Sequence, residues 1–379
     1  MKIKNLFKKA TAVLLAGIMA TSAGTATFAE SEIATSLEST YQERSCLMKE
    51  APSLIYAAGI EDTSSCQMSN IFSIYDENGN DTGRNISFII QENKIVGDIV
   101  FAFDENGNFS ASSGLQDYPD VCEAFLSGKK VSFCSYGDDF IMTDGEEALV
   151  LLSEYEEDRP VTPQKAYSLS DIKIADAYRS SLVPDVQVAS MSIPENATVY
   201  ATQYPTVNFD SRANIVGQGV EGTCWAACVA SKVCYESTSY SNLTADDVYN
   251  AVNDVFKSIG SKRQRYERGL SVYGFTMDSS FTGIKPFSVL QSKTQNEKNL
   301  VIMRLQNNNS DAVHAVVLKG YQIINPIEGS VYLLMDPNSS HHEAVRISES
   351  VYNGTSGFTY VSKTKSYTWF DSICTKKGN

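Results

Sequence analysis

The stretch Gln218-Gly219-Val220-Glu221-Gly222-Thr223-Cys224-Trp225-Ala226 decides how this chain is read. A Gly-rich loop runs into Cys224, and the residues that follow, Trp225 to Tyr235, contain no Gly or Pro and three alanines. That pattern predicts a loop ending in a helix whose first turn carries the cysteine. Unpaired backbone N–H groups and the positive end of the helix dipole favour thiolate over thiol at such a position. Gln218 lies six residues upstream, where its amide can fold back beside the sulfur and donate to an oxyanion on an attacked carbonyl. The plainer alternative is a buried structural cysteine.

A nucleophilic thiol needs a base, and the chain has only three histidines. His314 lies in Ala312-Val313-His314-Ala315-Val316-Val317-Leu318-Lys319-Gly320-Tyr321, a strand pattern, and the next strand pattern, Gly329 to Met335, ends at Asp336-Pro337. Asn325-Pro326 and Glu328-Gly329 between them are turn residues. An antiparallel hairpin pivoting near Asn325 pairs positions that sum to about 650, which sets His314 across from Asp336. A carboxylate that fixes the imidazole tautomer and stabilises the imidazolium completes a nucleophile–base–acid array. His341 and His342, beside the polar loop Asn338-Ser339-Ser340, are read as solvent-facing. Neither a metal nor a cofactor is expected, because Cys224 and Cys228 lack the second cysteine pair of a zinc site.

Outward from this site, 379 residues favour two domains over one. Lys2, Lys4, Lys8 and Lys9 precede the apolar run Ala10 to Ala20, and Thr27-Phe28-Ala29 follows, which is the pattern of a secretory signal peptide cut near Ala26 or Ala29. No later run is long enough to span a bilayer, so the expectation is an exported protein with no stable membrane anchor. The net charge of −14 divides unevenly: residues 31–195 hold 29 Asp/Glu against 10 Lys/Arg, and residues 196–379 hold 15 against 17. Such acidity argues against nucleic acid as a partner and suits a domain that covers a neighbour. The eight cysteines fall four and four, and export permits disulfides, a Cys234–Cys374 bridge among them.

Residues 30–65 read as weakly helical. From Asn70 short β-rich runs begin, at 71–75, 86–90, 95–103, 130–136 and 148–152, and the sequence Asp-Glu-Asn-Gly-Asn occurs twice, at 76–80 and 104–108, as an Asn-Gly hairpin turn each time. After Glu154 the chain turns polar, with Pro160, Pro163, Pro184, Pro194 and Pro205, and reads as a linker open to processing. Beyond the Cys224 helix, a helix from about Thr244 to Ser258 is capped by Thr244. Lys262 to Arg268 reads as a solvated basic loop, Pro286 to Ser292 as a short helix, and strands dominate from Asn299.

Gln218-x5-Cys224-Trp225-Ala226, His314-Ala315-Val316 and Gly320-Tyr321 together resemble a papain-like cysteine peptidase, of the bacterial secreted kind that includes staphopain and the bacteriocin-leader-processing peptidases. The resemblance covers roughly 200–379. It departs from papain in having Asp336-Pro337-Asn338 where papain has Asn followed by Ser-Trp-Gly, and in lacking a cysteine within Val220-Glu221-Gly222. The resemblance implies an α+β fold: a papain-like catalytic domain with the Cys helix in its N-terminal helical part and a C-terminal antiparallel sheet, preceded by a β-rich pro-domain. The expected organisation is a signal peptide (1–29), an acidic pro-domain (30–155), a processing linker (156–199) and a peptidase domain (200–379). It further implies a secreted zymogen whose pro-domain is an intramolecular inhibitor, and a peptide or protein substrate attacked by Cys224, with His314, Asp336 and the oxyanion donor Gln218. Two readings compete: a transglutaminase-type acyl transferase, against which Ala315 stands where an aromatic residue usually follows the histidine, and a non-catalytic secreted binding module.

Overall fold

The computed structural model describes residues 29–144, 147–154, 186–191, 195–201, 223–260, 262–324, 329–339 and 342–376, with side chains from residue 42 onward. Residues 1–28 of the signal peptide as read from the sequence, most of the linker, Gln218 and His341 lie outside the described residues, while Ala29 already begins a helix. The chain divides into two units, Met1–Leu47 and Met48–Asn379. What is described of the first is helical, the start of α1 (Ala29–Ala58), which matches the helix read over 30–65 but stops earlier. From Met48 on α1 belongs to the second unit, and Ala51, Leu54, Ile55 and Ala58 give it a fully buried face. Their i, i+3, i+4, i+7 spacing produces that stripe.

The architecture of the second unit is α+β, with helices packed on one large, mostly antiparallel sheet. Its acidic half supplies β1 (Cys66–Met68), β2 (Phe72–Asp76), β3 (Asp81–Gln91), β4 (Lys94–Phe103), β5 (Phe109–Leu115), α2 (Pro119–Leu126), β6 (Ser132–Tyr136), β7 (Asp139–Thr143) and β8 (Ala148–Ser153). Both Asp-Glu-Asn-Gly-Asn repeats are hairpin turns, joining β2 to β3 and β4 to β5. They fold alike: Asp76 Oδ1 accepts from the backbone of Asn78 and Asn80, and Asp104 Oδ1 accepts from Asn106 and Asn108, at 2.8–2.9 Å. Gly79 and Gly107 take φ of 81° and 77°, the left-handed region that glycine enters without a Cβ penalty. The core of this half is aromatic. Phe72, Phe88 and Phe133 meet edge-on or tilted at 5.2–6.1 Å, with Tyr118 and Phe125 against them.

Two short strands, β9 (Val186–Gln187) and β10 (Thr198–Ala201), precede the second half. There α3 (Cys224–Glu236) is buried from Cys224 through Cys234, so it is a central helix rather than a surface one. Beside it α4 (Ala245–Phe256) begins with a complete capping box, Thr244 accepting from Asp247 N and Asp247 accepting from Thr244 N, as the sequence led one to expect. The basic stretch read as a solvated loop is instead α5 (Arg263–Val272). Two of its three arginines face inward: Arg263 Nη1 holds both oxygens of Asp371 at 2.7 Å, and Arg265 is buried, while Arg268 makes an exposed bond to Ser258 O. Partnered guanidinium groups bury where isolated ones do not, and charge alone does not reveal which a sequence contains. A short helix, α6 (Phe287–Gln291), lies within the expected stretch.

The remaining elements are β11 (Val301–Asn307), β12 (Val313–Ile323), β13 (Val331–Met335), β14 (His342–Arg346), α7 (Glu349–Tyr352), β15 (Thr359–Val361) and β16 (Ser366–Ile373). The main path through the sheet runs β15-β16-β11-β12-β13-β14-β5-β4-β3-β2-β6-β7-β8, and among the described pairings only β2 with β6 is parallel. β12 is buried on both faces. Ala315 and Val317 join the cluster around α3, while Val316 and Leu318 join Phe287, Tyr332 and Trp369 on the other side. The two halves of the sequence share this sheet through β5 and β14, where Ser112, Ser113 and Gly114 pair with Val345, Ala344 and Glu343. Neither strand is recognisable in the sequence, since β5 is Phe-Ser-Ala-Ser-Ser-Gly-Leu and β14 follows a polar loop.

Candidate active site

Cys224 is the first residue of α3, where the loop-to-helix pattern placed it, and it is buried. Helix geometry leaves the first backbone N–H groups unpaired within the helix, so the sulfur sits at the positive end of the α3 dipole. Trp225 and Ala226 are equally buried, and Trp225 packs on Tyr249 of α4 and Tyr266 of α5 at 6.4 Å. These contacts fix the start of the helix, and hence the sulfur, against both neighbouring helices.

His314 enters from β12. Its Nε2 lies 2.9 Å from Asp336 Oδ1, just past the end of β13, with both side chains almost completely buried. The β12–β13 hairpin exists as expected, but its register differs. Val317 pairs with Met335 and Leu318 with Leu334, then a bulge shifts the pairing so that Gly320 meets Leu333. Extending that register places Asp336 beyond Val316, two residues along the same strand face from His314, so the pair is diagonal rather than directly opposed. Asp336 is held further by Asn338 N, which donates to Oδ1 at 2.8 Å, and by the Tyr360 hydroxyl, 2.7 Å from Oδ2. The imidazole ring tilts over Tyr367 with centroids 5.4 Å apart.

The electrostatics follow from this enclosure. Burial pulls the imidazole of His314 towards neutrality, but the charge and hydrogen bond of Asp336, then the Cys224 thiol as hydrogen-bonding and charged neighbour, outweigh it and hold its pKa well above the ordinary value. Burial likewise opposes ionisation of Asp336, and the charge and hydrogen bond of His314, the Asn338 N–H and Tyr360 overcome it and bring its pKa down. With Nε2 engaged by Asp336, Nδ1 is the nitrogen left for the thiol. A carboxylate hydrogen-bonded to the ring and a cysteine sulfur as its other neighbour together favour the imidazolium form of His314.

Gln218 lies outside the described residues, so of the four site residues read from the sequence the structure brings together Cys224, His314 and Asp336. His342 is not solvent-facing. It opens β14, half-buried, with Nε2 3.0 Å from Ala57 O and Nδ1 3.4 Å from Lys319 Nζ. A strand that begins within a polar run carries no periodic signal, and that is why the position reads as loop. No disulfide joins any of the eight cysteines, all of which are among the described residues, so the Cys234–Cys374 bridge is absent; Cys234 Sγ instead lies 2.9 Å from Tyr240 O. Burial pushes the thiols of Cys134 and Cys374 up to about 12 and about 11, and those of Cys66 and Cys234 also upward, which keeps them protonated and unreactive.

Tyr360 and Glu343 are the neighbours that sequence reasoning missed. The Tyr360 hydroxyl is 2.6 Å from Glu343 Oε2 as well as 2.7 Å from Asp336 Oδ2, and all three side chains are buried. Tyr360 sits on a three-residue strand, and nothing local marks it. Compared with known proteins, the chain matches no family model and no curated sequence.

Proposed function

We propose that this protein is a secreted cysteine endopeptidase made as a zymogen. The observation that carries the reading is the buried His314–Asp336 pair beside a cysteine at the first position of a central helix. Cys224 and His314 share a proton as a thiolate–imidazolium pair. The thiolate attacks a peptide carbonyl carbon, and Gln218 with the Cys224 backbone N–H stabilises the oxyanion. The C–N bond then breaks as His314 gives its proton to the leaving amine. Water, deprotonated by His314, releases the acyl group and restores the thiol. Asp336 keeps the imidazole oriented and its cation stabilised throughout. Cys224 is completely buried, so a polypeptide reaches its sulfur only after a rearrangement of the site. In this reading the acidic half is the inhibitory segment; processing within 156–199 cuts the chain, and activity appears when the two halves then separate.

The test is hydrolysis of a peptide library by the processed protein, with Cys224→Ala as the comparison. Activity in the native protein and its loss in a folded Cys224→Ala variant are expected; equal hydrolysis by both ends the peptidase reading.

A further inference from the structure

The contact of one hydroxyl with two buried carboxylates poses a question of proton count. Tyr360 Oη lies 2.7 Å from Asp336 Oδ2 and 2.6 Å from Glu343 Oε2, both hydrogen-bond distances, yet a phenol has one proton to give. Tyr360 keeps that proton, since burial and the two carboxylates hold its pKa well above the ordinary value. One of the carboxyl groups must therefore be the donor in its own contact. Asp336 is not that group: Oδ1 already accepts from His314 Nε2 and Asn338 N, and its ionised form is the favoured one. The second proton belongs on Glu343. The buried chain then reads Glu343 O–H to Tyr360 O, Tyr360 O–H to Asp336, and Asp336 to His314, with every polar hydrogen directed towards the active-site carboxylate.

The surroundings of Glu343 agree with a neutral carboxyl. It stands on β14, paired with Leu334 of β13 on one side and Gly114 of β5 on the other. The charged and titratable groups facing it are Asp336 after β13, Tyr360 of β15, Lys363 of the turn after β15, Asp98 of β4, and Tyr118, which donates to Asp98. Lys363 Nζ is itself spent on Asp98, at 3.1 Å. Burial first, and then Asp336 and Asp98, outweigh Lys363 and raise Glu343 to about 7.

We propose that Tyr360 and Glu343 are positioning residues of the active site, with Glu343 acting as a neutral acid that orients Tyr360 towards Asp336. The inference rests on the peptidase reading for its consequence in catalysis, and on the hydrogen-bond geometry and the burial of the cluster for the proton arrangement. Ionisation of Glu343 removes a donor from Tyr360, places a second negative charge in the cluster and disturbs the Asp336–His314 contact. The environment of His314 in the full-length chain should therefore change on the alkaline side as Glu343 loses its proton. Because Glu343 lies on the strand that pairs with β5, this titration belongs to the chain with its two halves joined.

The experiment is a titration of the histidine ring resonances in the full-length, isotope-labelled protein, from about pH 5 to about pH 9, for the native chain, Glu343→Gln, Glu343→Ala and Tyr360→Phe; His314→Gln identifies the signal. The His314 resonance is expected to show an inflection near 7 in the native protein. That inflection should vanish in Glu343→Gln, whose amide still donates to Tyr360 but cannot ionise. After processing and separation of the halves, which take β5 and Asp98 away from Glu343, kcat and KM are compared: Glu343→Gln should keep kcat within about twofold, while Glu343→Ala and Tyr360→Phe lower kcat by roughly tenfold or more with KM nearly unchanged. An inflection that persists in Glu343→Gln, or native kcat in Glu343→Ala, overturns the proposal. If the native protein hydrolyses no peptide, the peptidase reading fails by itself, and the His314 titration in the full chain still decides the proton arrangement.

Discussion

His314 and Asp336 are buried together at 2.9 Å, with Cys224 as a third group that bears on the charge of the imidazole. The sign of their pH dependence follows. The folded-state pKa of His314 is raised, so its contribution to stability is complete below the unfolded value of about 6.5 and disappears as pH rises through the folded one. Asp336 is depressed, and its contribution is complete above about 4 and lost as pH falls through its folded pKa. The pair is thus strongest between those limits. Replacing His314 with Gln should cost about 3–5 kcal/mol there, because it strands a buried carboxylate, and the penalty should shrink at strongly alkaline pH. Chemical denaturation of both proteins across pH measures this, and a pH-independent difference would contradict it. The same pair accounts for thiol selectivity. In the processed protein iodoacetamide should modify Cys224 at about pH 6, His314→Ala should abolish that reaction, and Cys234 and Cys374, whose thiols burial pushes up, should stay intact in both. Retained labelling of Cys224 in His314→Ala, read by peptide mass spectrometry, would remove the ion pair from the account.

At the level of single elements, β12 carries the site, and its central position depends on Gly320. The strand pairs with β10, β11 and β13, and Gly320 lies opposite Ala201 in β10 and at the bulge facing β13. A Cβ at Gly320 would stand 2.1 Å from the Tyr200 carbonyl oxygen, closer than any real contact. Gly320→Ala must push β10 off the sheet or move β12, at a cost of about 1–3 kcal/mol. A lowered thermal midpoint with the neighbouring Lys319→Ala nearly neutral is expected, and an unchanged midpoint for Gly320→Ala would refute the tight approach. The bulge at this point shifts the register between the His314 end and the Tyr321 end of β12. Even so, the hairpin is centred about one residue beyond Asn325, since Val317 pairs with Met335 and Tyr321 with Tyr332, and for that reason the expected opposition of His314 and Asp336 emerges as a diagonal contact.

Across the whole second unit, the two halves of the sequence are fastened by more than the β5–β14 pairing. The turn from Ser362 to Lys365, between β15 and β16, is received by the acidic half: Glu154 accepts from the backbone of Lys363 and Thr364 and from both hydroxyls of Ser362 and Thr364. Arg84 donates to Lys363 O at 2.9 Å, Lys363 pairs with Asp98, and Lys365 with Asp138. A single cut within residues 155–185 leaves all of these contacts in place. The nicked halves should therefore co-elute in gel filtration at neutral pH and separate only in acid or denaturant, and prompt dissociation at neutral pH would show the seam to be weaker than drawn here. In the zymogen reading, activity should track separation rather than the cut itself. By itself the sequence determined the helix start at Cys224, the Thr244 cap, both Asn-Gly turns and the His314 hairpin, because each depends on backbone chemistry within a few residues. Only the tertiary structure decided the inward arginines of α5, the β5–β14 seam and the Tyr360–Glu343 bridge. Those depend on which distant groups meet after burial, and desolvation, not local propensity, then sets where their protons lie.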